Sequence, residues 1–250
     1  MPGGREGQWS PHPPEVLEKV VAALSPLVTP ERLLRMEAVL ARRTRDVVIV
    51  LEDIANEHNA AAVLRSAEAF GFFEVHIVEV AARFHASQHV ASGAEKWMHL
   101  RRHVSTREAY ADLRRRGYQI WASVLSGTPA PVYEVPIEGK VALVFGNEHR
   151  GLSEAAVREA DGSFVVPMLG FVESFNISVA VATAAYDLSS RRRLSGRPGG
   201  LDPLDALCTR ASWLAKSVRS SREVLARLDL PVPELHRSFD PPMVAGEKSA

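Results

Sequence analysis

The stretch DVVIVLED, Asp46 to Asp53, sets five apolar residues in unbroken succession, four of them β-branched. A strand with one wet face alternates apolar and polar side chains. An unbroken run therefore predicts a strand buried on both faces, as in a parallel sheet covered by helices. The residues that follow keep to this plan. HNAAAVLRSAEAFGF reads as a helix closed near Gly71, and EVHIVEV as the next strand. Ser105 or Thr106 caps REAYADLRRRG, closed by Gly117, and YQIWASV and VALVFG are strands. Ser153-Glu154 opens a short helix, and SFVVPM is a last strand before a long helix from about Asn176 to Leu194. Strands alternating with helices predict an α/β fold with a mostly parallel sheet.

Helices are also expected outside this core. Pro14 to Leu24 has apolar residues at helical spacing, and Thr29-Pro30 pairs an N-cap with proline at the first helical position, so a second helix runs to about Arg42. SGRPGG is a linker by composition, and Pro203 to about Arg227 reads as a helical tail. Residues 1 to about 14 are expected to be disordered, and the Pro-rich segment from Leu230 to be extended. The expected division is an N-terminal helical extension over 1–44, a core over 45–195 and a C-terminal helical and Pro-rich extension over 196–250.

Several chemistries are excluded. The single cysteine, Cys208, leaves no intramolecular disulfide and no Cys-based zinc cluster. No apolar run approaches the roughly 20 residues needed to span a bilayer, and the first residues lack the apolar core of a secretory signal. A cytoplasmic protein without a membrane partner is expected. The first strand runs into EDIANEHNAAAVLR, which has no glycine, so a Rossmann fingerprint is missing, as is a P-loop. His58, His85, His89, His99 and His103 lack ligand-like pairing with carboxylates and read as surface or satisfied histidines, so no metal is expected.

Formal net charge is zero, but arginine is clustered: Arg42-Arg43 with Arg45, Arg101-Arg102, Arg114 to Arg116, and Arg191 to Arg193 with Arg197. Such basic stripes attract phosphate even on a neutral chain, and the guanidinium fork suits it. Three further segments stand where a buried strand meets its loop, the usual place for ligands in open α/β sheets. In NEHNAAAVLR, Asn59 lies near a helix start and Arg65 falls inside the apolar helix, where it must be paired or face a cleft; a bridge to Glu68 is the plain alternative. In VFGNEHRGLSEAA, a strand ends at Gly146 and a turn follows with Asn147, Glu148 and Gly151. VVPMLGFVESFNISVAVATAAYDL breaks at Pro167 and Gly170, then sets Ser174 and Asn176 ahead of a small-residue helix.

In order and spacing these segments resemble motifs one, two and three of the SpoU branch of the SPOUT RNA methyltransferases, over roughly Val47 to Arg193. The last is most like the TrmH group, the tRNA guanosine 2'-O-methyltransferases. The resemblance implies a parallel sheet whose C-terminal part threads a deep trefoil knot, and a site for S-adenosylmethionine in the knot loops. Gly146, Asn147 and Glu148, with Val166, Pro167, Met168, Leu169 and Ser174, would hold that cofactor. Met168 and Leu169 would form its apolar wall, Gly146 and Gly170 would allow close backbone approach, and Leu125 with Ser126 would complete the pocket. Arg65 matches the family's catalytic arginine. Two accounts remain open for it: a base for the ribose hydroxyl, or a cation holding a phosphate that assists proton removal. Asn59 and Asn176 would orient Arg65 and the substrate, Ser174 would bind phosphate at the helix start, and Glu148 would fix the motif-two loop and the partner subunit.

The resemblance also implies a homodimer packed near the last helix, with Arg65 serving the other subunit's methyl donor. Residues 15 to 43 and 200 to 230 would grip tRNA, with Arg191, Arg193, Arg42, Arg43 and Lys96 among the RNA contacts and Trp97 in the core. The target implied is the D-loop guanosine at tRNA position 18. An rRNA target would fit a larger N-terminal RNA-binding domain than the residues before Asp46 allow. A non-catalytic knotted RNA-binding protein would not need the full set Asn59, Arg65, Glu148, Ser174 and Asn176.

Overall fold

The computed structural model describes residues 12–81, 93–197 and 199–233. The Pro/Gly-rich beginning, the segment with His85 and His89, and most of the Pro-rich end lie outside the described residues. Seven strands form one sheet: β1 (Val47–Glu52), β2 (Glu74–Val78), β3 (His99–His103), β4 (Tyr118–Ser123), β5 (Ala130–Pro131), β6 (Lys140–Phe145) and β7 (Gly162–Val165). Their order is β3-β2-β1-β6-β4-β7-β5, and every neighbouring pair is parallel. The helices are α1 (Pro14–Leu24), α2 (Pro30–Leu40), α3 (Glu57–Ala69), α4 (Thr106–Arg115), α5 (Glu154–Arg158), α6 (Ile177–Leu194), α7 (Pro203–Ser217) and α8 (Ser221–Arg227).

The unbroken apolar run does what its composition demands. Every residue of β1 is buried, and alternate side chains enter different cores. Val47, Ile49 and Leu51 join Val75, Ile77, Leu143 and Phe145 beneath α3 and α6. Val48 and Val50 join Ile120, Ala142 and Val144 beneath Ala109, Tyr110 and Leu113 of α4 and Ala156 of α5. Register places Ile49 between Val75 and Leu143. A third cluster is built from the two ends of the chain: Leu17, Val20 and Leu24 of α1, Met36 and Leu40 of α2, Cys208, Ala211 and Leu214 of α7, and Leu225 of α8.

Start and stop residues behave as their chemistry predicts. Thr29 accepts from the Arg32 amide, Ser105 from Glu108 and Ser153 from Ala156. Gly71 closes α3 at φ +83°, and a Cβ there would press on the Arg42 carbonyl. Three features differ from expectation. The tail is two helices, α7 and α8, separated at Val218–Ser220. The segment between β4 and β6, read from its Pro and Gly as a loop, contains a two-residue strand, β5. β3, with the sequence HLRRH, has no apolar run, because its arginines are held by carboxylates: Arg101 by Glu74 (2.8 Å) and Asp112 (3.2 Å), Arg102 by Glu79 (2.6 Å).

Glu74, fully buried at the start of β2, is the hub of that edge. Arg116 grips it with both guanidinium nitrogens (2.7 and 2.8 Å), and His76 Nε2 donates to it at 2.8 Å. His76 Nδ1 then meets His103 Nε2 at 2.9 Å, with the rings stacked. His99 Nδ1 lies 3.7 Å from the same carboxylate. Burial opposes the charge on Glu74, but hydrogen bonds from His76 and His99 hold its carboxyl well below the usual range. Burial also pushes His99 down to about 4, against the pull of Glu74, and His103 to about 3.

These buried imidazoles stay neutral in the fold but take up protons once unfolded, so their contribution is full above about pH 6.5 and declines as pH falls. Thermal unfolding at pH 7.5 and pH 5 should show a falling melting temperature. His99→Gln should recover about 2 kcal/mol of the stability lost between those two values.

Candidate active site

The three segments singled out in the sequence meet at the carboxyl ends of β1, β6 and β7. Asn56 caps α3, its side chain accepting from the amides of His58 (2.9 Å) and Asn59 (3.1 Å). This fixes the first turn and aims Asn59 across the sheet edge. Asn59 Nδ2 donates to Glu148 Oε1 at 2.9 Å, and Asn59 Oδ1 accepts from Asn176 Nδ2 at 3.0 Å. Asn176 in turn caps α6, its Oδ1 accepting from the Ser178 amide (2.9 Å) and hydroxyl (2.6 Å). One line of hydrogen bonds, Glu148–Asn59–Asn176, thus ties together residues 89 and 117 positions apart.

Beside that line opens a cleft of about 650 Å³ between the loops after β4, β6 and β7. Leu125 and Ser126 line it from the first loop; Gly146, Asn147, Glu148 and Arg150 from the second; Val166, Met168, Glu173, Ser174 and Asn176 from the third. Asn147 is a structural clamp: its amide donates to the Asp53 carbonyl (2.8 Å), its oxygen accepts from the His149 amide (2.9 Å), and its backbone pairs with Gly151. Gly146 does need closeness, but to its own chain, since a Cβ there would overlap the backbone of Gly151 and Leu152. Gly170 has open space around it. Ser174 is exposed, and its hydroxyl has no partner among the described residues.

Two expected cofactor contacts are not brought in. Pro167 and Leu169 are exposed and do not line the cleft. Leu169 is fully exposed, as is Phe171.

Arg65 is exposed rather than buried, and it makes no ion pair among the described residues. Glu68, the partner in the plain alternative, is taken by Arg43. Six residues separate Asn59 from Arg65, about 120° around a helix, so Arg65 faces away from the cleft of Glu148 and Asn176. It lines a second cleft of about 390 Å³ with Arg32, Arg35 and Met36 of α2, Trp97, and Trp213 of α7. A third cleft, about 590 Å³, shares Arg35, Val39, Arg43 and Glu68 with it and continues to Arg42, Arg193 and Arg197. The two form a trough lined by exposed guanidiniums.

The expected RNA contacts divide sharply along it. Arg42, Arg193 and Lys96 are exposed. Arg43 and Arg191 are not free. Arg43 is fully buried, bonded to the carbonyls of Glu68 (3.0 Å) and Phe72 (3.4 Å), paired with Glu68 and set over the Trp213 ring. Arg191 is held by Asp187 (2.7 Å) and by the carbonyls of Val135 (2.9 Å) and Val132 (3.1 Å). Both expectations are corrected: these side chains hold the fold because partners distant in sequence enclose them. Arg32 and Arg35 also line the trough, and the one sequence signal for them is their spacing on α2, which puts them on the same face.

Among the described residues, the one grouping with a metal-ligand geometry is His76, His103 and Asp112. Arg101 and Arg116 already occupy Asp112, so a cation would enter a positive field.

The sequence pattern described as the SpoU rRNA Methylase family matches residues 46–186. The chain is 36% identical over 191 residues to the tRNA (guanosine(18)-2'-O)-methyltransferase of Thermus thermophilus, covering 75% of this chain and 98% of that one. It is 32% identical to the protein of that name from Escherichia coli K12, covering 68% and 74%. The solved A. aeolicus TrmH/SpoU tRNA modifying enzyme superposes with a TM-score of 0.70 at 27% identity, covering 75% of this chain and 97% of that one.

The split among the arginines is testable. Arg43→Ala should cost about 2–4 kcal/mol of stability by removing a buried cation and its packing. Arg42→Ala, one residue away, should leave unfolding within about 0.5 kcal/mol of the parent and weaken only binding to polyanions. Denaturant titration of the two variants distinguishes the outcomes.

Proposed function

The chain belongs to the SpoU rRNA methylase family, and on that premise we propose that it is a tRNA 2'-O-methyltransferase. It would move a methyl group from S-adenosylmethionine to the ribose 2'-hydroxyl of the D-loop guanosine at position 18. The observation that carries the reading is the line Glu148–Asn59–Asn176, which joins three loops beside a cleft of suitable size. The names of the relatives from T. thermophilus and E. coli support the position.

The cofactor, when bound, supplies a methyl group on a cationic sulfonium. The residues present fit it: Leu125, Val166, Met168 and Ile177 offer apolar surface to a flat ring, and the carboxylates of Glu148 and Glu173 face the same cleft and suit a positive centre. Asn59 and Asn176 are already committed to each other, so they hold the loops and the substrate end in place. Ser174 offers a free hydroxyl just before the amino end of α6, where a phosphate would be favoured.

Arg65 is best read as completing the site of a second copy. It opens away from its own cleft, while Leu169, Phe171, Val172 and Phe175 of the last loop and Val179 and Tyr186 of α6 leave apolar surface exposed. Apolar surface of that kind marks an interface. The reading carries with it a homodimer, a trefoil knot formed by the loops after β6 and β7, and a cytoplasmic setting where tRNA is found. Residues 45–195 are the methyltransferase unit in this account, and the terminal helices flanking it grip tRNA, with Arg42, Arg193 and Lys96 at phosphates.

The test is incubation with methyl-labelled S-adenosylmethionine and tRNA or rRNA transcripts, followed by mapping of the modified nucleotide. Label at guanosine 18 of tRNA is expected; transfer to rRNA alone, or none, would overturn the assignment. Arg65→Ala should fall to near-background activity. Arg65→Lys keeps the charge but loses the fork and should retain only a few per cent, roughly the tenfold-or-more loss of a bidentate contact.

A further inference from the structure

The cleft that holds Arg65 contains an aromatic plane that the reaction described so far does not use. Gly93, at φ +77°, starts the single turn Ala94–Trp97, and the carbonyl of Lys96 accepts from Lys216 Nζ at 2.7 Å, pinning this turn to α7. Trp97 is therefore held firmly. One edge meets Trp213 at 5.9 Å with the rings at 90°, and Arg32 of α2 stands over its ring at 5.8 Å. Trp97 is only half-buried, so the sequence-based placement in the core is half right.

Charge completes the picture. Arg32, Arg35 and Arg65 all line this cleft and are exposed, and none forms an ion pair among the described residues. The one carboxylate in the lining, Glu68, is neutralised by Arg43. A fixed aromatic ring beside uncompensated guanidiniums is the arrangement that binds an unpaired nucleotide: every base has a face to stack, and every linkage has a phosphate to pair. An acidic peptide would use the cations but leave the ring unused.

We propose that Trp97 and Arg32 form a nucleobase clamp. An unstacked base of the RNA, close in sequence to the reacting nucleotide, stacks on Trp97, while Arg32 and Arg35 hold its phosphates. This rests on the reading that the substrate is RNA. Arg65 shares the cleft, so the clamp places the strand with its neighbouring ribose at the catalytic arginine. Trp97 is thus a binding and positioning residue, distinct from the chemistry.

The test uses the full chain and measures affinity for a tRNA transcript, affinity for S-adenosylmethionine and melting temperature, for the parent, Trp97→Phe and Trp97→Leu. Loss of one stacked base corresponds to about tenfold in affinity. Trp97→Leu is expected to weaken tRNA binding by about that factor, with cofactor affinity unchanged and the chain still folded at the assay temperature. Trp97→Phe should recover most of the loss. A Leu variant that binds tRNA like the parent overturns the clamp, and so does a parallel loss of tRNA binding, cofactor binding and stability in both variants, which would make Trp97 a core residue. A parent chain that binds no tRNA at all would instead remove the substrate reading beneath it.

Discussion

The carboxyl end of β1 is the point from which the functional loops hang. Glu52, buried and with no cation beside it among the described residues, is satisfied by donors alone: the Thr106 hydroxyl, and the Ser153 amide (2.8 Å) and hydroxyl (2.9 Å). A carboxylate removed from water needs such donors to remain buried. Through them one side chain sets where α4 and α5 begin. Asp53 then turns the chain at φ +54°, accepts from the amides of Val80 (2.8 Å) and Ala81 (2.9 Å), and offers its carbonyl to Asn147. The loop that carries Glu148 is therefore placed from β1, and so is Asn59, three residues beyond the Asn56 cap.

From that anchor the asparagine line gains its meaning. Two of its members are tied to helix caps, Asn176 directly and Asn59 through Asn56, so their side-chain positions are inherited from the start of a helix. Caps are among the best-defined points in a fold. Using them for the contact between α3 and α6 makes the cleft rigid without adding buried charge. It also explains why short polar residues stand just ahead of two apolar helices.

Much of this was legible in the sequence, because it rests on local rules. A continuous apolar run located β1, shorter apolar-rich stretches located β2, β4 and β6, glycines closed α3 and α4, and Ser and Thr marked helix starts. The hidden parts depend on partners far along the chain. Nothing in HLRRH announces a strand, since its arginines are affordable only beside Glu74, Glu79 and Asp112. Arg42 and Arg43 are indistinguishable as letters, yet one is exposed and the other is enclosed by Glu68, Phe72 and Trp213. Leu169 was expected in the pocket wall from the motif resemblance, which places a segment but not each side chain; the side chain is fully exposed and does not line the cleft.

α3 serves three sides of the molecule at once. Its first turn faces the cleft with Asn59, its inner face fills the core with Ala60, Val63, Leu64 and Ala67, and its third face presents Arg65 to the trough. A helix has room for such separate duties because its faces are set by a period of 3.6 residues. The result is that the cleft beside Glu148 and Asn176 and the cleft holding Arg65 open in different directions from one rigid element. Bending α3 to bring them together would break the core it fills, which is the physical ground for the proposal that a second chain supplies the missing half. The same geometry lays the trough of α2, with Trp97 at one end and Arg197 at the other, alongside Arg65, which is what the proposed RNA path requires.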